Sequence, residues 1–535
     1  MQPRPSFKEI VPELRELLAA QLPAFLTKQR WFGGKARRIQ SAEIVDIIPL
    51  RGESRDALVL IVTVSYIDGA NDLYVVPLYR TEAAAAGSEN NQPAFEVSTR
   101  HGSHLQFSDA MKDEKALSLL LNATLEKRVF TGEQGELRGF QTTAFPNLYA
   151  SSPGALQPKL LTGEQSNSSV IYGERLILKF FRRIEEGVNP ELEIGTFLTE
   201  KAHYPHIAPL AGWLEYRTHD GKAMTQAILQ TFVPNEGDAW RYTLKSLAGF
   251  YEAVAKRGTI GSSLPANFSP QAFDPPQCAR ESVDSYLGMA GLLARRTAEL
   301  HLALASESSG PAFVPEPFTQ EFQRTLENSL AELTSKTFTL LRQKISHLPG
   351  ELCEKANELL ARQGEIEHIF HSILSAPIDA LRTRVHGDYH LGQVLYTGSE
   401  FVIIDFEGEP ARPLAARRVK QSPLQDVAGM LRSFHYAAFA PLSGAAGQKA
   451  TSIGNVAQAN VWAERWYSWV SGRFLREYFD TSGDASYLPQ NQTNKKNLLQ
   501  LYLLEKSVYE LGYELNNRPT WVRIPLEGIS QVLAT

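Results

Sequence analysis

Three side chains between Val385 and Glu409 (VHGDYHLGQVLYTGSEFVIIDFEGE) have the types and spacing to do chemistry together. Asp388 follows a glycine on a short turn, Gln393 comes five residues later, and Asp405 lies seventeen residues beyond Asp388. The intervening runs QVLY and FVIID are short, apolar and joined by TGSE, so they read as a β-hairpin. A hairpin of that length returns its ends to one place. Gln393 and Asp405 then offer hard oxygen ligands for magnesium, leaving Asp388 free to orient or deprotonate a hydroxyl. That arrangement suits phosphoryl transfer, where positioning and charge neutralisation carry most of the catalysis. Two other readings are weaker. His386 and His390 are spaced like a helical zinc pair, but Gly387 and Leu391-Gly392 oppose a helix there. A hairpin without chemistry would not need the ordered series of acid, amide and acid.

A second candidate site lies upstream. PKLLTGEQSNSSVIYGERLILKFFRR reads as three strands, and Lys179 interrupts the apolar run from Leu176 to Phe181. A lysine in such a strand needs an anionic partner, because an unpaired buried ammonium is costly. Glu193, at the start of the helix NPELEIGTFLTE, is the expected partner, and the pair would reach the phosphates of ATP. The polar turn with Gln165, Ser166 and Ser168 has small residues that let backbone amides approach a phosphate chain. AILQTFVPN reads as the last strand running into a hinge, and its backbone between Gln230 and Val233 is the expected adenine edge.

The remaining elements must position these groups. The 535 residues are 43 % apolar and 21 % charged, ordinary for a globular protein of two or three domains. A net charge of −5 argues against nucleic acid and anionic membrane surfaces as partners. No apolar run approaches the ~18 residues of a membrane span. The start lacks a basic segment followed by an apolar one, and the two cysteines have no metal spacing, so a reduced cytoplasmic protein is expected. Residues 6–22 have helical periodicity, QRWFGGKAR turns on Gly33-Gly34, and three strand-like runs (EIVDIIPL, ALVLIVTVSYI, DLYVVPLY) follow. A low-complexity loop at 83–93 and a helix at about 108–127 complete the first unit. After residue 235 helices dominate, including two long ones predicted between 317 and 376.

Several blocks resemble bacterial maltokinases: VHGDYHLGQVL, VIIDFEGEPARPLAARRVKQSPLQDVAGMLRSFHYAA, ARRTAELHLAL, LLEKSVYELGYELNNRPTWVRIPLEGI and the opening QRWFGGKAR. The wider group is the aminoglycoside-phosphotransferase-like kinases, whose catalytic motif usually has Asn at the position of Gln393; maltokinases resemble this chain in having Gln. The resemblance implies an α+β, bilobal protein-kinase-like fold with a β-rich N-lobe, a helical C-lobe and an extra N-terminal cap. The expected boundaries are 1–130 for the cap, 131–235 for the ATP-binding lobe and 236–535 for the helical lobe with the sugar site. It also implies ATP and Mg2+ as cofactors, and transfer to the anomeric hydroxyl of maltose, giving maltose 1-phosphate for glycogen or α-glucan synthesis. A trehalose synthase is the partner that this family context suggests. Sugar contacts are expected from the residues crowded around the hairpin: His390, Glu407, Glu409, Arg412, Arg417, Lys420 and Asp426. For Arg417 and Lys420 a solvated basic turn is an equal alternative, and Trp466, Tyr467, Tyr509 and Tyr513 read more as core than as a stacking wall. The rival enzyme readings are kinases for glucosamine, another sugar or an aminoglycoside. A scaffold without turnover would be expected to lack the lysine, base or metal aspartate, and all three residue types are present.

Overall fold

The computed structural model describes residues 7–51, 56–81, 93–99, 104–150, 156–161, 166–257, 275, 277–306, 310–442 and 456–534. The chain divides into two compact units, Met1–Pro234 and Asn235–Thr535.

The first unit contains two antiparallel sheets. In one, the strands run in the order Ile39–Arg51, Asp56–Tyr66, Asn71–Thr81, His104–Asp109, Phe95–Ser98, and the short strand Arg183–Ile184 also pairs with Asn71–Thr81. The apolar run in Asp56–Tyr66 follows from burial of both faces. Ala57, Val59 and Ile61 enter one core, while Leu58, Leu60, Val62 and Val64 enter another with Leu14 and Leu18 of the helix Phe7–Ala19. Gly34 lies in the short 3-10 turn Gly33–Ala36, where a Cβ would stand 2.3 Å from the Tyr66 hydroxyl oxygen. Close packing therefore accounts for this glycine. The other sheet has seven strands in the order Val129–Thr131, Gly135–Gln141, Leu210–Thr218, Ala223–Thr231, Leu176–Phe181, Asn167–Tyr172, Pro158–Leu160.

The second unit is helical. Its long helices are Ala239–Arg257, Gln277–Leu304, Gln320–Lys344, Leu424–Phe439, Val456–Ser482 and Gln492–Asn517, and the hairpin Val394–Tyr396/Phe401–Ile403 is set among them. The architecture is thus mixed α/β, with a sheet-built N-terminal region and a helical C-terminal region, as the sequence implies.

Two helix expectations are corrected. The segment expected as a helix at 108–127 begins as strand and 3-10 turn, and the helix spans only Glu114–Leu125, because Asp113 caps it by accepting from the Ala116 N–H at 2.9 Å. Between 317 and 376 there are three helices rather than two: beyond the break before Gly350, the chain breaks again at Arg362, between Gly350–Ala361 and Gln363–Ser372. The expected loop at 83–93 lies almost wholly outside the described residues. Among the described residues no helix is long and apolar enough to cross a membrane.

Candidate active site

In the first unit, Leu176, Leu178 and Phe180 of one strand point into the core, so alternation puts Lys179 on the opposite face. Lys179 stands opposite Ser169 on one neighbouring strand and Ile228 on the other. Its Nζ lies 2.8 Å from Glu191 Oε2, with 12 % and 2 % of the two side chains exposed. Glu191, two residues before Glu193 in the helix Pro190–Glu200, meets the lysine; Asn189 caps that helix by accepting from the Glu191 N–H. Glu191 and Glu193 stand two residues apart in the first turn of that helix, and periodicity along the chain does not say which of them the strand lysine meets.

Of the other nucleotide-site candidates, Gln165 lies outside the described residues. Ser166 is exposed. Ser168 is buried, and its hydroxyl accepts from Arg182 Nε at 2.8 Å, while the Arg182 guanidinium pairs with Asp109 and lies over Trp31. Gln230 stands opposite Ile177 and Leu210, and Val233 follows the end of that strand, half-buried.

In the second unit the hairpin pairs Val394 with Ile403, and the Gln393 carbonyl accepts from the Ile404 N–H at 3.0 Å. The ladder therefore brings Gln393 to the same end of the hairpin as Asp405. Asp405 has φ +66°, a left-handed conformation that is strained for a non-glycine residue and that concentrates at functional sites. Two hard oxygen donors at one hairpin end fit a magnesium site.

The HGD turn is held from behind. Asp426, 1 % exposed on the helix Leu424–Phe439, accepts from the His386 N–H at 2.7 Å and the Gly387 N–H at 2.9 Å, and its Oδ2 lies 3.1 Å from His301 Nε2. Burial by itself would raise the Asp426 pKa, but the bonds from His301 and the Gly387 amide together with the charge of His386 outweigh it and hold the carboxyl low. Gly387, at φ +82°, makes the turn.

Asp388 faces a cavity of about 1030 Å3. Its Oδ1 lies 3.2 Å from Lys506 Nζ and its Oδ2 3.9 Å from His390 Nε2. Burial pushes the Asp388 pKa up, while Lys506, His390 and His386 pull it down and prevail, so the carboxylate stays ionised. The Lys506 ammonium is held above its ordinary value: desolvation lowers it, and Asp388, Glu409 and Glu510 more than offset that. Burial lowers the His390 pKa against the opposing pull of Asp388 and Asp405.

Of the seven positions expected to contact the sugar, His390 and Glu409 line this cavity. Glu409 has a raised pKa, from burial and the charge of Asp388, and is bonded by the Tyr509 hydroxyl and the Ala411 N–H. Four of the others have partners within the fold. Asp426 anchors the turn, Lys420 Nζ pairs with Glu316 at 2.7 Å, and Arg417 reaches back to the Glu407 carbonyl at 3.3 Å. Arg412 pairs with Glu505 at 3.3 Å. Tyr509 and Tyr513 line the cavity, whereas Trp466 is buried in the core with 0 % exposure. Sequence reasoning missed Lys506, Trp240, Glu510, Glu514 and Trp521, which also line the cavity. The signal available for Lys506 was its place on an amphipathic helix, one turn before Tyr509, where it looks like an ordinary surface lysine.

Against known proteins, residues 25–113 match the maltokinase N-terminal cap domain. The chain is 26 % identical over 392 residues to a glucosamine kinase of Mycolicibacterium smegmatis, covering 73 % of this chain and 83 % of that protein. It is 23 % identical over 371 residues to a glucosamine kinase of Streptacidiphilus jiangxiensis, covering 69 % and 72 %. A solved glucosamine kinase in complex with glucosamine, ADP and inorganic phosphate superposes with a TM-score of 0.60 at 19 % identity over 100 % of both chains. A second crystal form of a glucosamine kinase gives 0.62 at 19 % identity over 97 % of this chain and 99 % of that one. The fold is thus that of these kinases, with a maltokinase-type cap at the N-terminus. Cap and fold together support a phosphotransferase of the sugar-kinase class.

Proposed function

We propose that this chain is an ATP-dependent kinase whose acceptor is maltose, phosphorylated at the anomeric hydroxyl to give maltose 1-phosphate for α-glucan or glycogen synthesis in the cytoplasm. The observation that carries the reading is how the carboxylates of the Asp388 cavity are matched by donors of the protein itself. Asp388 has Lys506 at 3.2 Å, Glu510 has Arg432 at 2.7 Å, and Glu514 has Arg518 at 2.6 Å. Asp238 accepts from the Arg241 N–H, and Glu409 accepts from Tyr509. A cavity so matched suits an uncharged polyhydroxyl acceptor, and Trp240, Trp521, Tyr509 and Tyr513 supply aromatic faces on its wall. Its volume is slightly above the ~300–1,000 Å3 typical of small-molecule sites, roomy enough for a disaccharide. The maltokinase-type cap supports the same choice.

In this reading Asp388 accepts a hydrogen bond from the anomeric hydroxyl and takes its proton late, as oxygen attacks the γ-phosphorus and ADP leaves. Lys179, steadied by Glu191 with Glu193 beside it, meets the α- and β-phosphates; Ser166, Ser168 and Gln165 belong to the phosphate turn, and Gln230 and Val233 to the adenine edge. Gln393 and Asp405 would hold magnesium, which neutralises phosphate charge. Asp426 acts by fixing the turn that carries Asp388. A trehalose synthase supplying maltose completes the reading.

Glucosamine is the second reading, favoured by the similarity to glucosamine kinases and by Glu409, whose bonded neighbours are neutral donors. A coupled ATPase assay with magnesium against maltose, glucosamine, glucose and kanamycin separates the two, with phosphorus NMR to locate the new ester. Maltose-dependent ADP release with an anomeric phosphate is expected; turnover with glucosamine alone would overturn the maltose assignment.

A further inference from the structure

Lys506 is matched to Asp388 in the cavity wall, and its position there also bears on the choice of acceptor. Lys506 projects from the helix Gln492–Asn517 into the wall that contains Asp388, Glu409 and Glu510. Its Nζ is 3.2 Å from Asp388 and 5.1 Å from the centre of the Tyr509 ring, whose hydroxyl in turn donates to Glu409. The carboxylates of all three acids act on this one ammonium. Glu510 is also held from the far side by Arg432, which is 2 % exposed. The lysine therefore shares one cavity wall with three carboxylates, of which Asp388, the base that would receive the acceptor hydroxyl, is in direct contact with it.

Resting on the sugar-kinase reading, we propose that Lys506 determines acceptor class: its ammonium is a built-in cation at the point where an amino sugar would place its own, so the cavity accepts a neutral sugar and disfavours a protonated amino sugar. The physical ground is that two ammonium groups cannot share the same carboxylates without mutual repulsion, and in a partly desolvated wall that repulsion is weakly screened. Discrimination by an unfavourable charge against the wrong substrate is a general route to specificity. Removing the lysine would leave Asp388, Glu409 and Glu510 facing the cavity with one compensating cation fewer, a setting that attracts an ammonium. Lys506 is in this sense a specificity residue acting through the field at the acceptor, and its contact with Asp388 is the link.

The test compares kcat/KM for maltose and glucosamine in the full-length wild type, Lys506→Met and Lys506→Arg, with thermal midpoints measured alongside. The ratio of maltose to glucosamine is expected to fall at least about tenfold in Lys506→Met, the scale of a single weakened like-charge contact. Lys506→Arg keeps the cation and is expected to keep the preference. A purely structural lysine would lower both activities in proportion; an unchanged ratio in a folded Lys506→Met overturns the inference. Competition on the wild type gives a measurement that does not depend on the variant folding. Glucosamine is expected to inhibit maltose phosphorylation more weakly than glucose, and equal or stronger inhibition counts against Lys506 as the discriminator. Wild-type turnover with glucosamine but not maltose would remove the maltose reading, whereas the change of ratio between wild type and Lys506→Met still judges the lysine separately.

Discussion

Each unit contains a lysine–carboxylate pair, and the two were unequally visible. Lys179 and Glu191 are 12 residues apart and meet at 2.8 Å, one on a strand inside a sheet, the other in the first turn of the helix that follows. Lys506 and Asp388 are 118 residues apart and meet at 3.2 Å, one on a long helix and the other on a tight turn. The first lysine betrays itself because a cation inside an apolar strand has no bland explanation. The second sits among polar neighbours on a helix, where a lysine is what a solvated face would have. A charge is thus conspicuous in sequence only when its local surroundings are hostile to it. When the whole fold creates the surroundings, it looks unremarkable.

The comparison yields experiments in descending order of effect. Asp388→Asn should lower kcat on the order of 10³-fold while leaving the thermal midpoint close to wild type, since the base is lost and the shape kept; near-normal turnover would show that the Lys506 pair surrounds a structural acid. Asp426→Ala removes the acceptor of two buried backbone N–H groups. It should cost about 3 kcal/mol in urea unfolding, because the donors are left unsatisfied away from water. The Asp426 carboxyl is held below its ordinary value, so its stabilisation is present above about pH 4 and lost as the pH falls further. A wild type equally stable on both sides of that window would contradict the anchor role.

Lys179→Met should lower kcat/KM for ATP about 100-fold with the acceptor KM little changed, in line with a group that meets only the nucleotide. If the acceptor KM moved instead, the division of labour between the two lysines would be reversed. The smallest effect is a shift in pH dependence. Asp388 is faced by Lys506, His390, His386 and Glu409, and burial alone would raise its pKa. Lys506→Met removes the largest opposing charge, so the acid limb of kcat/KM should move to higher pH; an unmoved limb would mean that the histidines suffice.

Much of the fold was legible. The runs EIVDIIPL, ALVLIVTVSYI and DLYVVPLY became the first three strands, and the 385–409 stretch became the expected hairpin. Those are short-range patterns, in which alternation and turn residues act between near neighbours. Boundaries were less secure. Asp113 as a helix cap and the break at Arg362 depend on single local contacts that periodicity does not register.

What the chain by itself determined was the chemistry available: an acid on a glycine turn, an amide and an acid at one hairpin end, and a lysine in an apolar strand. Tertiary structure decided which charges those groups meet. It set Glu191 against Lys179, turned Asp426 and Lys420 into supports of the fold, and brought Lys506 from 118 residues away to Asp388. The reason is physical. Secondary structure follows from neighbours along the chain, whereas the field at a carboxylate is a sum over every charge near it in space, and no local pattern encodes that sum.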